Sequence, residues 1–131
     1  MKNSIFKLTE YVYYFSLLVL LILYLFPGSL LGYVLYGNLG QQPNLINNPI
    51  GTSINHLIFF SYITVLAIIV RLRIKNIFTS YLFILFISCV LEIFHVIVPN
   101  RAFELYDLLA NFTGVVIIIL INIFIKWRKH L

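Results

Sequence analysis

A chain of 131 residues with 62% hydrophobic and 10% charged side chains lies far from a soluble domain, which is about 45–50% apolar and about 25% charged. Nine Lys/Arg against four Asp/Glu give a net charge of +5, and in so apolar a chain the basic residues set membrane orientation rather than bind nucleic acid. The single cysteine, Cys89, excludes a disulfide framework.

The first apolar run, residues 11–26, closes at Pro27-Gly28. With Phe6 and Leu8 it predicts a span over about 6–26, close to the roughly 20 residues that cross about 30 Å of hydrocarbon. Lys2 and Lys7 resemble the head of a signal peptide, but no small-x-small cleavage site follows the run, so a retained span is expected. Residues 28–37 are apolar but too short to span, and an interfacial or re-entrant segment is expected there. Residues 38–55 carry Pro43, Pro49, Gly40, Gly51 and several Asn, the composition of a turn-rich loop. Together these make an outer loop over 27–53.

A second span is predicted over 54–72, ending at the basic turn of Arg71, Arg73 and Lys75. A third covers 77–98 and stops at Pro99-Asn100, because Pro cannot continue the helical hydrogen-bond ladder. A fourth covers 105–125 and ends in Lys126, Trp127, Arg128 and Lys129, a basic and aromatic interfacial anchor. The expected fold is all-α: a polytopic membrane protein, one domain over 1–131, built as a four-transmembrane-helix bundle. Eight of the nine basic residues fall on one side of it and only Arg101 on the other. The positive-inside rule then puts both termini in the cytoplasm and the 27–53 loop and the 99–104 turn outside.

Residues 92–114 concentrate the charge. Glu92, Arg101, Glu104 and Asp107 lie here, with His95 among them. Ionisable groups at membrane depth are costly and are retained where they face each other, a cavity or a ligand. Glu92 and His95 are three apart on the third span, and Asp107, Asn111 and Gly114 follow at i, i+4 and i+7 on the fourth, so each set shares a helix face. Asn55 and His56 open the second span on the same side. Glu92, His95, His56, Asp107 and Asn111 are therefore expected to converge on one shallow pocket, with Arg101 at its rim and paired to Asp107 or Glu92. Pro99 is expected to shape the turn, and Gly114 to let two helices approach closely. The sequon Asn111-Phe112-Thr113 falls on a span and is not expected to carry a glycan.

Three chemistries compete for this cluster. A structural reading uses Arg101 to clamp the turn and Asn111 to bond across helices. A metal reading uses the Glu92-x-x-His95 spacing, completed by His56 and Asp107. Carboxylate-bundle sites need two such motifs and further Glu residues, so no metal and no cofactor is expected. Acid–base catalysis by Glu92 and His95 lacks a Ser/His/Asp order or a Gly-rich phosphate loop. A binding or accessory protein is thus expected over an enzyme.

The series Glu92, His95, Pro99-Asn100-Arg101, Asp107, Asn111 and Gly114 resembles the VanZ-like family of small bacterial membrane proteins, named for a teicoplanin-resistance determinant. Members show Glu, Gln three later, Pro-Gly-Arg, then Asp, Asn and Gly at this spacing. His56 matches the histidine of the family's Asp-Lys-x-x-His-Phe segment, with Thr52 and Ser53 in place of the Asp and Lys. The resemblance covers about 52–118. His95 replaces an amide, and Ile118 stands where a second helix-packing glycine is common. The resemblance implies a multi-pass protein of the bacterial cytoplasmic (inner) membrane, linked in some members to lowered sensitivity to glycopeptides bearing a lipid tail. The expected partners are the lipid bilayer and a lipid-linked or anionic envelope ligand bound at the outer face. An enzyme acting on a lipid headgroup and a small structural subunit of a membrane complex are the alternatives.

Overall fold

A computed structural model describes residues 2–129. The side chain of Lys2, one of the basic residues counted as internal, lies outside the described set. The described chain is helical: α1 (Lys2–Leu25), α2 (Leu30–Tyr36), α3 (Ser53–Arg71), α4 (Tyr81–Phe94) and α5 (Leu105–Arg128), with one 3-10 turn at Ile77–Thr79. Three of these helices, α1, α3 and α5, are long and apolar enough to cross a membrane.

One stripe of each helix makes the core. Tyr13, Leu17, Leu20 and Tyr24 recur on α1 at steps of four and three; Phe60, Ile63, Ala67 and Val70 do so on α3, and Ile84, Ile87 and Leu91 on α4. Such steps keep residues on one helical face. The other faces are apolar too: Phe15 and Leu18 on α1, Leu82 and Phe86 on α4, and Leu120 and Phe124 on α5 are exposed. A surface this apolar is foreign to a soluble monomer and suits a hydrocarbon surround.

α3 and α5 share the most extensive helix–helix contact. Gly114 makes it possible, as expected: a Cβ there would stand 2.6 Å from the Leu57 carbonyl oxygen and 3.1 Å from Ser61 Oγ. Ser61 Oγ instead donates to the Gly114 carbonyl at 3.2 Å.

α4 departs from expectation. It has 14 residues, about 21 Å at 1.5 Å per residue, well inside the predicted 77–98 span. Local polar chemistry sets both ends. Asn76 and Thr79 cap each other reciprocally around the 3-10 turn, and Ser80 Oγ accepts the Phe83 N–H to start the helix. At the far end the N–H groups of His95, Val96 and Ile97 bond carbonyls three residues back, which tightens the chain into turns. Pro99 does not end the helix; it lies exposed in the following turn. Asn100 beside it takes φ 58°, the left-handed region that Asn tolerates better than most residues.

The 27–53 segment folds back over the end of the bundle where α3 and α5 begin. Residues 30–36, expected to be interfacial or re-entrant, form α2, capped by Ser29 Oγ accepting the Gly32 N–H at 2.9 Å. Gly32 is packed so tightly that a Cβ would overlap the Gln41 carbonyl at 1.6 Å. Asn55 fastens the rest, donating to the Pro43 carbonyl at 2.7 Å and accepting the Leu45 N–H at 3.2 Å.

Candidate functional site

Four helices bring polar side chains together under this loop. The first turn of α3 supplies Ser53 and His56, the start of α5 supplies Asp107 and Asn111, the end of α4 supplies Glu92 with His95 just beyond it, and α1 supplies Tyr24. Glu92 and Asn111 are fully buried, and His56 is only 8% exposed. The predicted convergence of Glu92, His95, His56, Asp107 and Asn111 is therefore present.

The two carboxylates are held alike. Asp107 Oδ1 accepts the Ser53 hydroxyl at 2.5 Å, and its Oδ2 lies 3.2 Å from His56 Nε2. Glu92 Oε1 accepts the Glu104 backbone N–H at 3.1 Å and lies 3.2 Å from His95 Nδ1. Ionised carboxylates only accept, so those ring nitrogens are the donors. Glu92 Oε2 faces His56 Nδ1 at 3.9 Å and has no hydrogen-bond partner among the described residues.

Tyr24 closes the cluster. Its hydroxyl lies 2.6 Å from His56 Nδ1 and 2.8 Å from Asn111 Oδ1, and its ring stacks on His95 at 5.3 Å between centroids. Asn111 Nδ2 donates to the Ser88 carbonyl at 3.1 Å. Tyr24, Ser53, the Ser88 carbonyl and the Glu104 N–H are the members that sequence reasoning missed. The readable signal for Tyr24 was its place near the end of the first apolar run, at the depth of His56 on its neighbour.

Arg101 corrects another expectation. Among the described residues it makes no ion pair; every such contact in the cluster runs through a histidine. Its guanidinium donates to the Leu23 carbonyl at 2.7 Å. The last four carbonyls of a helix lack intrahelical partners, and the dipole there favours a cation; Leu23 is in that last turn of α1. Burial pulls the Arg101 pKa down from its ordinary value, yet a guanidinium stays charged.

Beside the cluster lies a cleft between α1, α3 and the loop. Its lining mixes apolar residues, Leu20, Leu30, Leu31 and Phe59 among them, with the polar and aromatic groups of Tyr24, His56, His95 and Arg101. Its volume is about 70 Å³, far below the roughly 300–1,000 Å³ of sites that enclose a whole small molecule. Glu92, Asp107 and Asn111 do not line it. They stand in a buried network beside it, where the sequence predicted one open pocket lined by all of them. Comparison with known families, with characterised proteins and with solved structures finds no match.

Proposed function

We propose that this chain is a VanZ-like membrane protein whose cleft binds the head end of an anionic, lipid-linked or other envelope component at the outer face of the bacterial cytoplasmic membrane. The observation that carries the reading is the mixed lining of the cleft. Apolar side chains together with a guanidinium and two imidazoles fit an amphiphile, and its small volume admits part of a headgroup. Two buried nitrogens there, His95 Nε2 and Arg101 Nε, have no partner among the described residues; the Arg101 N–H can donate to an anionic oxygen, and His95 Nε2 can accept from a ligand hydroxyl. Arg recognises phosphate and carboxylate by its planar fork of donors.

The family reading draws support from two positions. Asn100 holds a left-handed φ where the family pattern has glycine, and Gly114 meets α3 without room for a side chain. In this reading α4, flanked by the apolar residues 77–78 and 96–98, is the third of four spans, and the basic bias puts both termini inside. Reporter fusions after Gln42 and after Leu131 test that topology: an external signal at Gln42 and a cytoplasmic one at Leu131 are expected, and the reverse at either site defeats it. Changed sensitivity to a lipid-bearing glycopeptide is the phenotype in view.

Binding is tested with protein in nanodiscs and short-chain phosphatidylglycerol or phosphatidylcholine as probes. Arg101→Gln is expected to weaken the anionic lipid by about tenfold or more, since a hydrogen bond to a charged group contributes roughly 1.5–3 kcal/mol, and to leave the zwitterionic lipid little changed. Arg101→Lys, which keeps the charge, should lie between. Equal affinity of all three proteins for the anionic probe removes the proposal. Turnover of the lipid would instead indicate an enzyme built on the Asp107–His56–Tyr24 chain.

A further inference from the structure

The cluster behind the cleft contains more negative charge than its neighbours balance. Glu92 and Asp107 are buried against two imidazoles, His56 and His95, and neither has Lys or Arg within ion-pair distance among the described residues. Burying charge without a counter-charge is strongly unfavourable.

The oxygens divide in a telling way. One oxygen of each carboxylate is fixed by the protein: Asp107 Oδ1 by Ser53, and Glu92 Oε1 by the Glu104 N–H and His95. The other oxygen of each turns toward the His56 ring, Asp107 Oδ2 to Nε2 at 3.2 Å and Glu92 Oε2 to Nδ1 at 3.9 Å. Metal-ligating carboxylates are held in this manner, one oxygen anchored by surrounding donors and the other presented to the ion. Glu92 Oε2 adds an independent sign, for it is fully buried, faces His56 and has no hydrogen-bond partner among the described residues.

We propose that His56, Glu92 and Asp107 form a binding site for one divalent transition-metal ion of the zinc class. One ligand atom from each residue lies within 4.8 Å of the other two. Around an ion bound tetrahedrally at about 2.1 Å, ligand atoms stand about 3.4 Å apart, so the set must close by up to roughly 1.4 Å as the ion enters. An imidazole with two carboxylates suits zinc or its transition-metal neighbours; calcium and magnesium favour oxygen ligands alone. His95 is not a ligand: its Nδ1 supports Glu92, unlike the role that the Glu-x-x-His spacing suggests. The rival account is a protonated His56 lying between the two acids, which needs no ion. The proposal does not depend on what the cleft binds.

The test uses the full chain in detergent, stripped with a chelator and titrated with zinc chloride, with metal content and thermal midpoint as readouts. Wild type is expected to take one zinc per chain and to gain several degrees in midpoint, because an ion that binds only the folded state stabilises it. His56→Gln should lose at least a hundredfold in affinity. Ser53→Ala, which removes no ligand, should lose about tenfold or more, the usual effect of a supporting residue. Failure of wild type to bind zinc at tenfold molar excess overturns the proposal and favours the protonated imidazole. So does undiminished binding by His56→Gln, which would place the ion elsewhere. If His56→Gln does not accumulate, the wild-type stoichiometry and the Ser53→Ala affinity decide.

Discussion

Gly114→Leu is expected to prevent accumulation of the folded protein. A Cβ alone would press to 2.6 Å from the Leu57 carbonyl oxygen, which is backbone and cannot rotate away. Overpacking of this kind costs about 1–3 kcal/mol even for small insertions, and leucine adds three further heavy atoms. The damage would spread to the polar cluster, because His56 lies one residue before Leu57 and Asn111 lies less than one turn before Gly114. Size-exclusion profile and thermal midpoint in detergent measure it. Gly40→Ala is the control, since only the Asn38 side chain comes near, at 3.4 Å. A Gly114→Leu protein with the yield and midpoint of wild type would show that α3 and α5 do not meet as described.

Asp107→Ala should be nearly as severe in metal-free protein. It strands two buried donors, the Ser53 hydroxyl and His56 Nε2–H. Each unsatisfied buried group costs about 1–3 kcal/mol, so a loss of roughly 2–6 kcal/mol is expected. Asp107→Asn keeps an acceptor for Ser53 and should recover part of it. A double-mutant cycle with Ser53→Ala isolates the shared bond, with an expected coupling of about 1.5–3 kcal/mol for a charged acceptor. Strictly additive losses would mean that the Ser53–Asp107 contact contributes nothing.

Hydropathy and helical spacing located much of this arrangement. The 54–72 span matches Ser53–Arg71 to within a residue at each end. The i+3 and i+4 steps from Glu92 and Asp107 placed His95 and Asn111 on the right faces, since spacing within one helix is set by backbone geometry alone. What lay beyond reach depended on contacts between elements. The limits of α4 were a separate miss, set by the local Asn76–Thr79 and Ser80 caps and by tightened turns after Phe94, which overall hydropathy does not register. Tyr24 sits in an uncharged run, and nothing local says which way its face turns. Arg101 had two acids near it in sequence but found a nearer partner in the carbonyl of Leu23, 78 residues away. The acids themselves were satisfied by a hydroxyl, a backbone N–H and two imidazoles, which turned an expected open pocket into packed interior.

The shortness of α4 bears on the surrounding lipid. Across a hydrocarbon layer of about 30 Å, a helix of 14 residues falls about 9 Å short at 1.5 Å per residue, while α1 and α5, at 24 residues each, reach about 36 Å. Where α4 crosses the bilayer as proposed, the lipid would meet two different thicknesses around one small protein. Such mismatch costs fractions of a kcal/mol per ångström and is relieved by local thinning or by tilt. Thinning beside α4 would lower the headgroup plane toward Glu92 and His95, and it would gather shorter-chained lipids on that side of the protein, leaving longer ones beside α1 and α5.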